Sequence, residues 1–482
     1  MEELPRYSIL GSTVLFPVLI YYVIKLVAAR NNGPKLSSAL STLSATLQDA
    51  FLRHPKGVFE INTSEGSEFV TSREAFEEMK GWSDDNISVQ LGLQSFVQSR
   101  YTGQYPPDEL LNTAIKADLS PNLTKVVPIL AEECKHAIET LFPSSSDWVP
   151  VHISHKLERL IAQISARAFV GEELCRNEDW LDAILDYTEK LFVGVEAVKK
   201  IHPSLRPILG HFIPEIRRIS QVRRRCANHI DAVLKRRSHS HEGEYDDMLH
   251  WIIKRSQKAG THNAMELATL QLSLSMAAVH STSMTITNIL YDLAALPEYI
   301  SPLRSELETL LQEHGSITKA MLDKAHLLDS FMKESQRMNP LSFTTFKRGA
   351  VHALRLSDGS LIPAGSIISA PVHAMGMDAR LFPSPATFDG YRYARKREEG
   401  GTRAQFVAVT ADVPSWGYGR HACPGRFFAA LEIKLVVAAI VLRFDLRLED
   451  EQHERYQNLR MGLSNVPDRE RAVLFRLRAE VD

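Results

Sequence analysis

Cysteine is scarce in this chain: only Cys134, Cys175, Cys226 and Cys423 occur in 482 residues, and no two of them form a CxxC pair. That excludes a disulfide scaffold and a CxxC zinc or redox site, and it suits a reducing, cytosolic surrounding. One-sided charge is lacking too, with 56 Lys+Arg against 58 Asp+Glu. The one short basic run, Arg223, Arg224 and Arg225, reads as a solvated helix face. Without a basic stripe there is no electrostatic footprint for nucleic acid. No low-complexity stretch, long linker or repeat of solenoid period divides the sequence, so residues 31–482 read as one large folded unit. No Gly-x-Gly-x-x-Gly fingerprint occurs either, which excludes a built-in flavin or nicotinamide site of that kind.

Charge is nearly absent from residues 8–29, SILGSTVLFPVLIYYVIKLVAA, where Lys25 stands alone. About 20 apolar residues suffice to cross a bilayer as a helix. Glu2 and Glu3 precede the segment and Arg30 and Lys35 follow it, unlike the basic start of a cleaved signal peptide. The expectation is a single N-terminal transmembrane helix, residues 1–30 serving as a membrane anchor and the charge bias leaving the body in the cytosol. Pro17 and Lys25 keep an amphipathic or buried helix as the alternative.

Cys423 differs from the other three cysteines, which sit in helical patterns as small hydrophobes do. Its setting is PSWGYGRHACPGRFFAALEIKLVVAAIVLRF, with Gly417, Gly419, Pro424 and Gly425 around the sulfur and Arg420 and His421 adding positive charge. The apolar run that follows reads as a helix with Phe427, Leu431 and Leu435 on one stripe. Free N–H groups and the positive end of a helix dipole just behind a sulfur stabilise a thiolate and tune any metal it holds. A buried structural cysteine in a tight turn is the alternative for this loop taken alone.

Two upstream features bear on that choice. Glu334 and Arg337 lie three apart on the helical stretch LDKAHLLDSFMKESQRMNP, hence on one face, and ATFDGYRYAR offers Arg392 as a second guanidinium for the same carboxylate. Glu-x-x-Arg, then Phe-Asp-x-x-Arg, then a glycine-rich loop with Cys and Pro-Gly ahead of a helix resembles the signature set of the cytochrome P450 monooxygenases. The GRHACPGRFFA wording is similar to fungal members of specialised metabolism. The resemblance implies a mainly α fold with a small β region, and heme b (iron protoporphyrin IX) with Cys423 as axial thiolate. It implies a structural role for Glu334, Arg337 and Arg392. Trp416 stands in the family's Phe position as an aromatic wall, Gly419 and Gly425 match its glycines, and His421 replaces its Arg as donor to a propionate. Lys116 in LNTAIKADLSPNL falls at a propionate-binding Arg, with Asn112 in place of a Trp, and Arg348 in TTFKRGA matches a further propionate contact.

Residues 263–295 read as one long helix without a proline until Pro297. Its middle, AAVHSTS, matches the family's oxygen-activation motif. Ala277 and Ala278 take the small positions, His280 the acid position and Ser281 the threonine position, with Thr282 next, so these three are the expected proton-delivering residues. Ala277, Val279, Ser281 and residues 341–346 are the expected pocket lining. LRLSDGSLIPAGSIISAP, with its Asp358-Gly359 turn, supplies strands of the small sheet.

The implied activity is oxidation of a lipophilic small molecule, terpenoid or polyketide-derived, using molecular oxygen. Electrons would come from a membrane-bound NADPH-cytochrome P450 reductase, with cytochrome b5 as a further donor, at the endoplasmic reticulum membrane. Departures at His280 and Ser281 keep two other readings open: a haem-thiolate isomerase or dehydratase that needs no oxygen, and a non-catalytic membrane-anchored haem-binding protein. Turnover with and without reductase and oxygen separates the three.

Overall fold

Apolar residues at helical spacing fill most of the chain from residue 123 onward, and these stretches fold as helices. In the computed structural model, which describes residues 36–63, 66–202, 204–239, 245–256, 263–449 and 454–479, the principal ones are α1 (Leu123–Leu141), α2 (Ile153–Phe169), α3 (Glu178–Lys200), α4 (Pro214–His239), α5 (Ala264–Ala295), α6 (Ile300–His314), α7 (His326–Met338), α8 (Arg392–Glu398) and α9 (Arg426–Arg443). The expected transmembrane helix falls on residues outside those described. No described helix is long and apolar enough to cross a membrane.

The long helix α5 begins at a reciprocal cap: Asn263 Oδ1 accepts the Glu266 N–H at 3.0 Å and Glu266 Oε2 accepts the Asn263 N–H at 3.2 Å. It stops at Leu296, where Pro297 follows. Thirty-two residues span roughly 48 Å at 1.5 Å per residue, enough to cross the whole body. Its hydroxyls bond back to the preceding turn, Thr269 to Met265 O, Ser273 to Thr269 O and Thr285 to Ser281 O, which satisfies them inside a packed helix. Helices α2, α4, α7 and α9 pack around α5. Leu157, Leu160, Ile161 and Ile164 of α2 are wholly buried there, each stabilising the fold by about 1.5–3 kcal/mol.

The main sheet has β1 (Val58–Thr63), β2 (Gly66–Thr71) and β3 (Ile87–Ser88) from the N-terminal side, and the C-terminal sheet takes β4 (Val149–Val151). The main sheet is completed by β5 (Thr345–Ala350) and β6 (Ile367–Ala370), in the order β1-β2-β6-β5-β3, with β2 and β6 parallel. β4 pairs with β8 (Val473–Leu477), which pairs in turn with β7 (Phe444–Leu448). The expected hairpin is there as Leu354–Arg355 against Leu361–Ile362, turning through Gly359 at φ +90°.

The two largest cores lie between the helices and under the main sheet. The segment that carries Cys423 joins them: Tyr418 lies in the sheet core, while Phe428 and Leu431 lie in the helical core.

Candidate active site

Gly417 and Gly419 adopt φ +74° and +70°, a region in which L side chains are strained. A Cβ at Gly419 would also stand 2.5 Å from the Lys80 carbonyl. These turns bring the Cys423 N–H onto the Trp416 carbonyl at 2.7 Å. Trp416 is itself held, its indole N–H donating to the Phe406 carbonyl at 2.9 Å and its ring edge-on to the Phe406 ring. Gly425 caps α9. Burial pushes the Cys423 thiol up, while the N–H groups of Gly425 and Arg426 and the Arg426 charge pull the other way. Cys134, Cys175 and Cys226 are fully buried and Cys423 only half so. Burial pushes the Cys175 and Cys226 thiols up to about 12 and Cys134 higher still. They are inert thiols.

Glu334, Arg337 and Arg392 are brought together. Arg337 grips both Glu334 oxygens at 2.6 and 2.9 Å, with neither side chain exposed. Its remaining amino group donates to the Gly376 and Pro385 carbonyls. Arg392 Nε lies 3.2 Å from each Glu334 oxygen, and the Asp389 N–H adds a fourth donor.

A second buried ion cluster is invisible to motif reading. Asp329 on α7 accepts from Lys434 of α9 at 2.7 Å, Arg397 of α8 at 2.8 Å and the Phe406 N–H at 2.8 Å. It therefore ties the helix behind Cys423 to the strut that holds Trp416. The available signal was Glu432 and Lys434 interrupting an apolar helix, since charges placed there must be buried.

Arg348 is buried and makes no ion pair among the described residues; its guanidinium donates to the Lys347 carbonyl and stacks on Phe346 at 4.2 Å. Burial pulls it down to about 10, partly opposed by Asp84. A register shift between Thr345 and Arg348, with Phe346 at φ +61°, marks the bulge that turns Arg348 inward. His421 departs from expectation: its ring meets Asp84 at 2.7 Å and is partly exposed, so its partner is a carboxylate of the chain itself. Lys116 also departs, standing exposed on a π-helical turn, Ile115–Leu119, with no partner among the described residues. The basic run is a solvated face in part: Arg224 is exposed and Arg225 pairs with Asp179 at the surface, whereas Arg223 turns inward and donates to Tyr187 Oη and the Thr102 carbonyl.

On α5, Ala277 and Ser281 share an open face, and Ser281 Oγ bonds the Ala277 carbonyl at 2.9 Å. The residues expected beside them turn elsewhere. His280 faces Glu158 of α2, with Nδ1 3.6 Å from Oε1. Thr282 and Val279 are each 2% exposed, packed into the protein instead of lining an opening. Phe343 likewise packs away, against Leu47, Ile61 and Val70.

The model of the cytochrome P450 family matches residues 52–472. The cytochrome P450 monooxygenase braC of Annulohypoxylon truncatum is 35% identical, covering 90% of this chain and 88% of its own. For BOA4 of Botryotinia fuckeliana the figures are 32%, 96% and 94%, and for ent-kaurene oxidase P450-4 of Gibberella fujikuroi 35%, 82% and 80%. The chain belongs to the cytochrome P450 family. It is a monooxygenase of that family, whose cofactor is heme b with a cysteine thiolate as axial ligand. The residues fit that group: Arg348 is a buried cation with no ion-pair partner among the described residues, suited to a propionate, and a Cβ on Gly425 would meet nothing within 4 Å.

Proposed function

We propose that Cys423 is the axial thiolate and that the enzyme oxidises a lipophilic small molecule, a terpenoid or polyketide-derived secondary metabolite. The observation that carries this is the contrast among the four thiols. Three are sealed and held protonated, and one is half-open behind a helix start with two N–H groups turned to its sulfur. Bound haem supplies oxygen activation, with the thiolate and its hydrogen bonds setting the reactivity. Arg348 would hold a propionate, Trp416 would wall the cysteine side and Gly425 would give clearance. Ala277 leaves room for substrate, and Ser281 is the hydroxyl best placed to pass protons, with His280 behind it. The small open face of α5 and the ent-kaurene oxidase among the relatives support an apolar substrate.

Electrons come from NADPH-cytochrome P450 reductase, cytochrome b5 being a second donor, at the endoplasmic reticulum membrane. The apolar segment 8–29 supports that location. Removing residues 1–30 should release the protein from carbonate-washed membranes with its haem retained.

The test is spectral and catalytic. Reduced protein under carbon monoxide should show the red-shifted Soret band of thiolate ligation, lost in Cys423→Ala and kept in the Ala variants of the other three. Metabolite extracts should be turned over only with reductase and oxygen; turnover without either overturns the monooxygenase reading for this chain.

A further inference from the structure

A half-enclosed cavity of about 300 Å³ lies beside α9 and has no part in anything described so far. Its volume is at the lower end of the roughly 300–1,000 Å³ usual for ligand pockets. Phe427 and Leu431 of α9, a turn apart on one face, and Val407 make its apolar side. Phe427 is 42% exposed, a large ring left in water beside the opening. The other side is charged. Asp329, Lys434 and Arg397 form its inner part, and Lys319 and Asp323, paired with each other and more exposed, its outer part.

That inner part is short of negative charge. Lys434 and Arg397 share the single carboxylate of Asp329. Lys333, 2% exposed, stands behind Gln405 of the lining, its ammonium donating to the Arg403 and Gln405 carbonyls at 3.0 and 2.9 Å and to no carboxylate among the described residues. A second acid acts on Lys434: Glu306, which takes the Leu327 and Leu328 N–H groups at 2.7 and 3.1 Å. His326 adds no charge at neutral pH, because burial and the Arg397 charge hold its ring below the ordinary range. Three cations therefore face at most two carboxylates. The Arg397 guanidinium makes one hydrogen bond among the described residues, through Nη2. Surplus positive charge in a part-buried wall, with guanidinium donors unused, is stabilised by an anion.

We propose that this cavity is a binding site for a small organic monoanion with a flat apolar body. The body lies on Phe427, Leu431 and Val407, and the anionic group meets Arg397 and Lys319. Lys319 can turn to it at little cost, since its pairing with Asp323 is a surface one. An inorganic ion would leave the apolar side wet, and a cation would meet charge of its own sign. The site is separate from the face of α5 that serves the substrate, so it stands whether or not the proposed substrate class is right.

The test is equilibrium dialysis of the full, haem-loaded chain against 2-naphthoate at neutral pH, with 2-naphthol and 2-naphthylmethylammonium as neutral and cationic probes of the same body. One equivalent of 2-naphthoate should bind, the naphthol about tenfold more weakly and the ammonium not measurably. Lys319→Glu and Phe427→Ala change two partly exposed side chains, should keep the thiolate spectrum under carbon monoxide, and should each weaken 2-naphthoate by about tenfold. The ferric Soret band should not move with binding. No saturable binding, or equal binding of the three probes, overturns the anion site. So does a low- to high-spin shift that tracks occupancy, or parental affinity in both variants, since each places the bound naphthoate elsewhere.

Discussion

Asp329 and Lys434 meet at 2.7 Å with each side chain 7% exposed, joining the helix that bears Glu334 to the helix that follows Cys423. Burial alone would raise the Asp329 carboxyl, but Lys434, the Phe406 N–H and Arg397 outweigh it and hold the group below its ordinary range. Its contribution to stability is therefore present above the ordinary Asp range and is lost only as pH falls below it. Lys434→Met removes one of three donors from the buried carboxylate; breaking a buried pair outright costs about 3–5 kcal/mol, and here Arg397 and the Phe406 N–H stay in place and hold the loss below that. The guanidinium chloride midpoint of the haem-loaded protein should fall accordingly. Asp329→Leu combined with Lys434→Met should be no more stable than Lys434→Met alone, because Arg397 and the Phe406 N–H then lose their acceptor as well. Full recovery would show that Asp329 serves Lys434 alone.

Arg337→Lys should behave as a severe change despite keeping the charge. Arg337 uses two nitrogens on Glu334 and a third on the carbonyls of Gly376 and Pro385, a fork that an ammonium cannot reproduce. Arg392 reaches Glu334 through one nitrogen at 3.2 Å, so Arg392→Lys should be milder. Haem per purified protein orders them, parent above Arg392→Lys above Arg337→Lys. Equal loading of the two variants would count against a geometric role.

What the sequence made legible was local. Asn263 and Pro297 bound the long helix, Asp358-Gly359 marked a hairpin, and Glu334 with Arg337 share a face by their spacing alone. The glycines around Cys423 announced a tight turn, and the turn is there. Pairs joined only by the fold left no such trace. Asp329 and Lys434 are 105 residues apart, Glu158 belongs to a different helix from His280, and Asp84 reaches His421 from a loop over three hundred residues away. Polar residues were also assigned by position in a motif, whereas helical phase decided where they point. Ser281 falls on the open face, and Thr282, one residue and about 100° further round, does not. The inward turn of Arg348 depends on a bulge at Phe346, whose positive φ no β-branched or aromatic pattern announces.

Arg348→Gln should release haem faster without abolishing the thiolate spectrum of the fraction still loaded. A hydrogen bond to a charged group contributes about 1.5–3 kcal/mol, which is about a ten- to hundredfold change in dissociation rate when the loss falls on the bound state. Transfer of haem to excess apomyoglobin reads that rate directly. Arg348→Lys should lie between, since it keeps the charge and loses the planar stack on Phe346. A Gln variant that holds haem as the parent does would assign Arg348 a purely structural place.

Glu432 supplies the sharpest pH test. It sits on α9 nine residues beyond Cys423, wholly buried, with Ser165 Oγ donating to Oε1 at 2.7 Å and Oε2 without a partner among the described residues. Burial pushes its carboxyl up to about 8, the Ser165 bond opposing only in part, so the folded protein keeps this proton at pH 7. In the unfolded chain the same group titrates in the ordinary Glu range, near 4.5. The folded state then binds the extra proton between those values, and stability attributable to Glu432 is complete below about 4.5 and is lost as pH rises through about 8. Within that window each pH unit removes about 1.4 kcal/mol. Glu432→Gln keeps the shape and the acceptor for Ser165 and cannot ionise. Its denaturation midpoint, compared with that of the parent at each pH, should match near pH 5 and exceed it increasingly towards pH 8. Other titrating groups cancel in the comparison. Parallel pH profiles for the two proteins would mean that Glu432 ionises without penalty where it stands, and that water reaches Oε2.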